Sequence, residues 1–225
     1  MSRSREFGIA PGIMPAGPRN AITDVPGVKV GHVTLSSRDI NTGVTAIIPQ
    51  PGDLFGDKLT AAVEVINGFG KSAGLVQVAE LGTLETPILL TNTFGVGTCS
   101  NALIRWAISQ RPDIGRETST VNPVVCECND GVLSDIQAMA VTEQDAMRAI
   151  EAAGQDVAEG SVGAGTGMIA FGFKGGIGTA SRQILLQGSA HVLGALVLAN
   201  AHGVDKQAFF RKLLNYGAIV TVVAP

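Results

Sequence analysis

Charged residues are scarce in this chain. Asp, Glu, Lys and Arg make up 16% of its 225 residues, whereas about a quarter is usual for a soluble globular domain. A surface so poor in charge predicts that a partner covers part of it, because association hides what a monomer must leave polar. The formal net charge of −3 comes without a basic stripe, which disfavours nucleic acid and anionic membranes as partners.

Long apolar runs are also missing. No run reaches the roughly 18 residues that are needed to cross a bilayer. The first residues, MSRSREFGIAPG, lack the apolar core of a signal peptide. The sequence therefore predicts a cytoplasmic protein. Because no stretch resembles a linker, we expect a single domain over residues 1–225, with residues 1–19 as an N-terminal extension.

Cysteine and histidine are too few for several kinds of site. Cys126 and Cys128 form a C-x-C pair with no second pair nearby, and Cys99 lies apart from them. This odd number and spacing disfavour a disulfide framework and a zinc site, and predict buried, reduced thiols. The histidines are scattered and are expected to be structural or surface residues rather than catalytic bases: His32, His191 and His202.

Motifs of three common enzyme classes are incomplete. Gly70, Lys71 and Ser72 match the end of a phosphate-binding loop, but Val65 stands where that loop needs a glycine. The stretch GAGTG at 163–167 matches part of a dinucleotide fingerprint, yet MIAFGFKGG follows it instead of a helix pattern. A Ser-His-Asp hydrolase would need a G-x-S-x-G elbow, which is absent. We therefore expect none of these sites.

Glycine, in contrast, is abundant, with 29 residues, nearly twice the common share. Seven of them fall within the 21 residues 163–183, which carry very little charge. Glycine tolerates positive φ and allows a second backbone or a ligand to approach closely. The segment is therefore predicted to be a tight structural junction, a ligand site, or both.

The hydrophobic pattern predicts an α+β fold. The clearest helix begins after Thr142, which can cap it together with Asp145, and Gly154 supplies its stop. A turn at Gly188 and Ser189 joins two apolar strands into a hairpin, followed by a short helix DKQAFFRKLL and a terminal strand GAIVTVVAP. Strands and helices mix without regular alternation, which disfavours a doubly wound sheet. Further strands are expected at 28–32, 43–49, 87–92 and 123–128, and further helices at 71–81 and 99–110.

Two polar residues interrupt apolar strands. Glu127 lies within PVVCEC, where an isolated carboxylate is costly unless a positive group meets it. That group is either a lysine or arginine of the protein or the ammonium of a substrate. Asn200 closes ALVLAN, where its amide can bond the next turn or donate to a developing oxyanion. Asn129 and Asp130 are expected to form a turn.

Five stretches together resemble one known family: NAITDVPGVKVGH, NTGVTAIIP, GFGKSAGLVQVAELGTLETPILLTNTFGVG, NDGVLSDI and GAGTGMIAFGFKGGIGTASR. They run from Asn20 to Arg182 and are similar to the L-aminopeptidase/D-Ala-esterase/amidase (DmpA) family, whose relatives include β-aminopeptidases. The resemblance implies an αββα sandwich, layered like the N-terminal-nucleophile hydrolases but with different connectivity. It also implies a precursor that cuts itself before a serine, and this chain resembles the α-chain part. No metal or organic cofactor is implied.

The resemblance also implies roles for particular residues. In such an enzyme the new N-terminal serine attacks the substrate carbonyl, and its own amine serves as general base. Glu127 would bind the amino group of a small peptide or amide substrate, and Asn200 would help form the oxyanion hole. The glycine-rich stretches would pack between the sheet layers beside this site. The implied partners are the β chain of the same precursor and further copies of the processed unit.

The expected nucleophile is missing from the chain. At the best match to the cleavage point, Gly217 is followed by Ala218 rather than serine, and Thr221 lies inside a strand too near the end to replace it. Val132 stands where a larger, often aromatic residue is expected. Two hypotheses follow: the chain supplies the pocket of a serine aminopeptidase or amidase whose nucleophile lies on the β chain, or it is a catalytically inactive scaffold or binding protein of the same fold.

Overall fold

A computed structural model describes residues 3–65, 68–201 and 218–224. The α-helices are α1 (Leu75–Leu81), α2 (Val96–Gln110) and α3 (Glu143–Glu151). The strands are β1 (Lys29–Ser37), β2 (Ile40–Ile48), β3 (Leu59–Thr60), β4 (Thr83–Leu84), β5 (Ile88–Asn92), β6 (Val124–Cys128), β7 (Ile169–Ala170), β8 (Phe173–Lys174), β9 (Gly176–Leu186), β10 (Ser189–Ala199) and β11 (Ala218–Ala224). Short 3-10 helices lie at Ser4–Phe7, Ile22–Asp24, Thr93–Gly95, Ile136–Ala138 and Gly163–Gly165. No helix within these ranges is long and apolar enough to cross a membrane.

Two sheets form the centre of the molecule. The first has the order β1-β2-β5-β6, in which β5 and β6 are parallel and the other neighbours are antiparallel. Helix α2 connects β5 to β6, as a parallel pair requires a crossover. The second sheet, β11-β10-β9, is antiparallel throughout. The strands predicted from the sequence are all present, so the α+β prediction is confirmed.

The two faces of the first sheet bury different partners. Helices α2 and α3 pack on one face and the second sheet packs on the other, which places an α layer and two β layers in the predicted order. Each fully buried aliphatic side chain contributes about 1.5–3 kcal/mol. The core against the helices includes Val44, Leu89, Leu103 and Val125. The core between the sheets includes Ile22, Ile47, Leu90, Leu196 and Leu198.

Local sequence signals explain two element boundaries. The Thr142 hydroxyl accepts from the Asp145 amide (3.2 Å), and the Asp145 carboxylate accepts from the Thr142 amide (2.9 Å), so the predicted cap of α3 is confirmed. Helix α1 begins at Leu75 rather than at position 71, because Gly74 has φ +80° and cannot continue a helix upstream.

The hairpin of the second sheet turns one residue earlier than predicted. Gln187 and Gly188 are the two turn residues, with φ of 50° and 83°, and Ser189 already pairs with Leu186. Positive φ at both central positions is what a two-residue hairpin turn needs. The prediction of a Gly188-Ser189 turn was therefore wrong, and Ser189 is the first residue of β10. The terminal strand is confirmed as β11, whereas the predicted helix DKQAFFRKLL lies outside the described residues.

The glycine-rich segment packs where no side chain fits. A Cβ on Gly167 would lie 2.1 Å from the Asn41 carbonyl oxygen, and a Cβ on Gly175 would lie 2.3 Å from that of Ala199. Asn41 belongs to the first sheet and Ala199 to the second. The prediction of a tight junction between the sheet layers is therefore confirmed.

The cysteines are free thiols, as expected. Cys99 and Cys128 are buried, and Cys126 is half-buried. Burial raises the pKa of the Cys99 thiol to about 12 and that of Cys126 to about 11. A thiol is a nucleophile only as the thiolate, so neither group is prepared for covalent chemistry.

Candidate active site

The residues singled out from the sequence meet at one edge of the sandwich. Strands β5 and β6 are parallel and therefore end at the same edge of the first sheet. Glu127 is the penultimate residue of β6, and Asn200 follows β10 of the second sheet. The Cys128 thiol, at the end of β6, donates to the Leu198 carbonyl in β10 at 3.9 Å and so joins the two strands here.

The Glu127 carboxylate is held by two neutral donors. Its Oε1 accepts from the backbone amide of Lys71 at 2.9 Å, and its Oε2 accepts from the Thr93 hydroxyl at 2.5 Å. Its backbone amide donates to the Ser72 hydroxyl at 3.3 Å. Within the described part of the chain, no lysine, arginine or histidine nitrogen forms an ion pair with Glu127. The carboxylate is therefore oriented without being neutralised.

The Asn200 amide is buried, with 7% of the residue exposed. Its Nδ2 donates to the Asn129 carbonyl at 2.9 Å, while its Oδ1 has no hydrogen-bond partner in the part of the chain that the structure describes. An amide nitrogen carries two N–H groups, so one remains for another acceptor. The sequence left open whether Asn200 bonds the turn that follows it or donates to an oxyanion. The observed bond goes instead to the turn after β6, and within the described residues it leaves one N–H available.

Asn129 connects the two groups. It lies two residues beyond Glu127, which corresponds to about 7 Å along an extended chain. Its carbonyl holds Asn200, and its side-chain Oδ1 accepts from the Gly131 amide at 2.8 Å. The predicted turn is confirmed, since the Asp130 carbonyl accepts from the amides of Leu133 (3.0 Å) and Ser134 (3.1 Å).

Position 218 lies near the same edge. Ala218 is the first residue of β11 and pairs with Leu198, two residues before Asn200. Thr221 pairs with Ala195, further from this edge, and is exposed. The position that best matches the family's serine therefore belongs to the strand beside Asn200, although alanine offers no nucleophilic atom there.

Sequence reasoning missed the residues that hold Glu127. The loop with Lys71 and Ser72 was interpreted only as a broken phosphate loop leading into a helix, and Thr93 was not singled out. These partners are 34 to 56 residues away from Glu127 along the chain, so no local pattern joins them. One feature of the sequence could have indicated that this loop contributes to a site: it is rich in glycine and lies just before helix α1.

Three large apolar side chains near this edge are exposed. Phe69 precedes the loop residue that binds Glu127, and Phe94 follows Thr93. Val132 lies in the turn beyond Asn129 and is 64% exposed. Apolar surface of this kind, next to a few convergent polar groups, is typical of a site that binds an organic ligand.

The layers and this edge define a variant of the Ntn hydrolase fold. The structure of L-aminopeptidase D-Ala-esterase/amidase from Ochrobactrum anthropi, described as a prototype for the serine aminopeptidases and such a variant, superposes with a TM-score of 0.81. It is 37% identical, and the match covers 88% of this chain and 58% of that one. The predicted DmpA-type fold is thus confirmed.

The chain belongs to Peptidase family S58, which matches residues 20–224. Beta-peptidyl aminopeptidase BapA of Sphingosinicella microcystinivorans is 40% identical over 208 residues, or 88% of this chain and 51% of that protein. The PH0078 protein of Pyrococcus horikoshii OT3 is 43% identical, with a TM-score of 0.89, over 99% of this chain and 67% of that one. The chain spans about half the length of the curated relatives it matches.

Proposed function

We propose that this chain supplies the substrate pocket of an aminopeptidase or amidase that hydrolyses N-terminal amide or ester bonds of small peptides. The observation that carries the proposal is the Glu127 carboxylate, which is fixed by the Lys71 amide and the Thr93 hydroxyl. A carboxylate placed this way is prepared for a cation that the described residues do not provide. The ammonium of a free amino terminus has the right charge and three donors.

In the proposed mechanism, Glu127 binds the substrate ammonium by charge-assisted hydrogen bonds, which are stronger than neutral ones. The free N–H of Asn200 donates to the carbonyl oxygen as negative charge develops on it. Asn129 keeps the Asn200 amide in place through the 2.9 Å bond from Nδ2. The scissile carbonyl would then lie between the two groups.

The nucleophile in this proposal is an N-terminal serine on a second chain from the same precursor, since Ala218 occupies the matching position here. Its Oγ forms a bond to the carbonyl carbon while its own amine takes the proton. Collapse of the tetrahedral intermediate breaks the C–N or C–O bond, and the leaving group takes the proton. Water then hydrolyses the acyl-enzyme and regenerates the serine.

Relatives carry the names β-peptidyl aminopeptidase and L-aminopeptidase D-Ala-esterase/amidase. Both names describe substrates with a free amino group, which is the feature that Glu127 would recognise. The proposal therefore covers substrates with a free amino terminus in general, whichever residue stands there. It also includes self-association of the processed unit, which the low charge content favours.

The experiment combines a variant with a mass measurement on the purified native protein. Intact mass is expected to reveal a second polypeptide that begins with serine. Glu127→Gln keeps the shape of the side chain and removes its charge, so kcat/KM for an aminoacyl p-nitroanilide is expected to fall about 10- to 100-fold, the range of one charge-assisted bond. Glu80→Gln, an exposed position on α1, is the matched control and should leave turnover unchanged.

Other outcomes would contradict the proposal. A single 23.1 kDa species without amide hydrolysis would leave the catalytically inactive scaffold. Hydrolysis that tolerates both Glu127→Gln and N-acetylation of the substrate would show that Glu127 does not bind the amino group.

A further inference from the structure

The Asp130 side chain has no role in the site that Glu127 and Asn200 form. The residue is completely buried, and neither oxygen of its carboxylate has a hydrogen-bond partner within the described residues. An unpaired buried carboxyl group costs free energy. Its turn is made by the backbone carbonyl, which accepts from Leu133 and Ser134, and does not need this side chain.

The surroundings of Asp130 connect both sheets to the site. The Thr42 hydroxyl of β2 and the Asn92 amide of β5 are near enough to its carboxylate to favour the charged form. On another side the glycine-rich segment approaches, because a Cβ on Gly167 would lie 2.7 Å from the Asp130 Cβ. The side chain therefore fills the space between the ends of two strands and the glycine-rich segment.

The peptide bond that precedes Asp130 is the one that holds Asn200. The carbonyl of that bond belongs to Asn129 and accepts from the Asn200 Nδ2 at 2.9 Å. Any rotation of the Asp130 backbone would redirect this carbonyl. The turn itself is tied to β2, since the Asn41 amide donates to the Ser134 hydroxyl at 3.0 Å and the Asn41 Nδ2 donates to the Leu133 carbonyl at 2.8 Å.

We propose that Asp130 is a positioning residue, whose buried side chain fixes the Asn129–Asp130 peptide so that the Asn129 carbonyl holds the Asn200 amide toward the substrate. This inference rests on the proposed function, in which Asn200 donates to the oxyanion. Asp130 touches no reacting atom in this scheme. Its effect passes through Asn129, and it concerns turnover rather than binding of the amino group by Glu127.

The electrostatic surroundings of Asp130 agree with a side chain that acts by its shape rather than by its charge. Burial raises the pKa of Asp130, and the charge of Glu127 adds to this, while Thr42 and Asn92 oppose it. An asparagine side chain has nearly the same shape as that of aspartate and carries no charge. Replacement by asparagine should therefore preserve the position of the peptide, whereas truncation to alanine should not.

The test compares Asp130→Asn with Asp130→Ala in the complete processed protein. We expect Asp130→Asn to keep kcat within threefold of the wild type. Asp130→Ala is expected to lower kcat at least 30-fold while KM changes less than threefold, because Glu127 remains in place. Crystal structures of both variants supply a readout apart from activity: the distance from Asn200 Nδ2 to the Asn129 oxygen should stay near 2.9 Å in Asp130→Asn and exceed 3.5 Å in Asp130→Ala.

A second variant keeps the test informative if Asp130→Ala does not fold. Thr42→Val is nearly isosteric and removes the hydroxyl beside Asp130, and it should lower kcat three- to tenfold. An unchanged kcat in Thr42→Val, an unmoved Asn200 in Asp130→Ala, or an equal loss of kcat in both Asp130 variants would overturn the inference. If the wild type hydrolyses no amide or ester, the proposed function fails, and the distances in the crystal structures still decide what Asp130 does.

Discussion

Two regions of the molecule each contain a phenylalanine, a lysine and a glutamate, but in different arrangements. In one, the Lys58 ammonium lies 4.0 Å from the Phe55 ring centroid, donates to the Phe55 carbonyl at 2.9 Å and forms an ion pair with Glu85 at 2.5 Å. In the other, the Lys71 ammonium lies 3.3 Å from the centroid of the Phe69 ring and donates to the Phe69 carbonyl at 2.6 Å.

The two regions differ in which group of the lysine binds the glutamate carboxylate. Glu85 is 4% exposed and forms an ion pair with the Lys58 ammonium. Its other carboxylate oxygen accepts a hydrogen bond from the Asn122 backbone amide at 2.7 Å. Glu127 instead accepts a hydrogen bond from the backbone amide of Lys71, while the Lys71 ammonium donates to the Phe69 carbonyl. The Glu85 carboxylate is thus paired with a cation, whereas the Glu127 carboxylate is held by uncharged donors.

The comparison is tested most directly by removing each lysine. Lys58→Met leaves Glu85 buried without its cation and should lower the free energy of unfolding by about 3 kcal/mol. Lys71→Met removes a largely exposed contact and should cost less than about 1 kcal/mol. Chemical denaturation of both variants measures the two values. Equal losses would show that Lys71 has the same structural role as Lys58, and the contrast would not hold.

Lys174, which forms no ion pair with any carboxylate in residues 3–65, 68–201 and 218–224, extends the comparison. Lys174 donates to the carbonyls of Gly165 (2.9 Å), Met168 (3.0 Å) and Gly175 (2.8 Å), and so holds the glycine-rich segment together. Lys174→Met should lower the free energy of unfolding by about 2 kcal/mol, since bonds to a charged group are worth about 1.5–3 kcal/mol each and part of the loss is recovered from water.

The control for this prediction is Lys29→Met on β1, where the side chain is exposed and the change should stay within about 0.5 kcal/mol. If both variants unfold at the same denaturant concentration as the wild type, the carbonyl contacts of Lys174 contribute nothing measurable.

The smallest expected effect concerns acid stability. Burial raises the pKa of Glu85, but the Lys58 ion pair and the hydrogen bonds from Asn122 and Gln77 outweigh it, and the pKa in the folded state lies below 4.5. Glu85 therefore stabilises the fold above its unfolded pKa, and this contribution is lost as the pH falls through the folded value.

The measurement is the difference in unfolding free energy between the wild type and Glu85→Gln from pH 7 to pH 3. This difference should be constant above about pH 5 and then decline by at most about 1.4 kcal/mol per pH unit. Glu127→Gln is the matched comparison. A decline of the same size in Glu127→Gln would show that the two carboxylates do not differ in this respect, and the contrast between the two regions would not hold.

Local features could be predicted from the sequence because their partners are neighbours. The cap of α3 needs only Thr142 and Asp145, three residues apart, and the individual strands follow from short apolar runs. The sandwich of two sheets was implied only by the family resemblance. The hairpin turn was misplaced by one residue because Gln187, not Ser189, adopts positive φ, and the pattern Gly-Ser looked equally suitable for a turn.

The site could be predicted only as separate residues. Glu127 was conspicuous as a charge in an apolar strand, but its donors come from a loop and from a strand end that are distant in sequence. Asp130 gave no signal at all, because asparagine, aspartate and glycine in a row are common in exposed turns. Its burial depends on Thr42, Asn92 and Gly167, which only the packed layers bring together.

The parallel pairing of β5 and β6 has a consequence for redesign. Glu127 lies in β6, and Thr93 directly follows Asn92, the last residue of β5, so the hydrogen-bond ladder between these adjacent strands sets the separation between the two residues. Phe94 and Val132, in contrast, are exposed on short connections beyond the strand ends. Substitutions at Phe94 and Val132 can thus reshape the exposed apolar surface at this edge, while the strand ladder keeps the Glu127 carboxylate and its Thr93 donor at a constant separation.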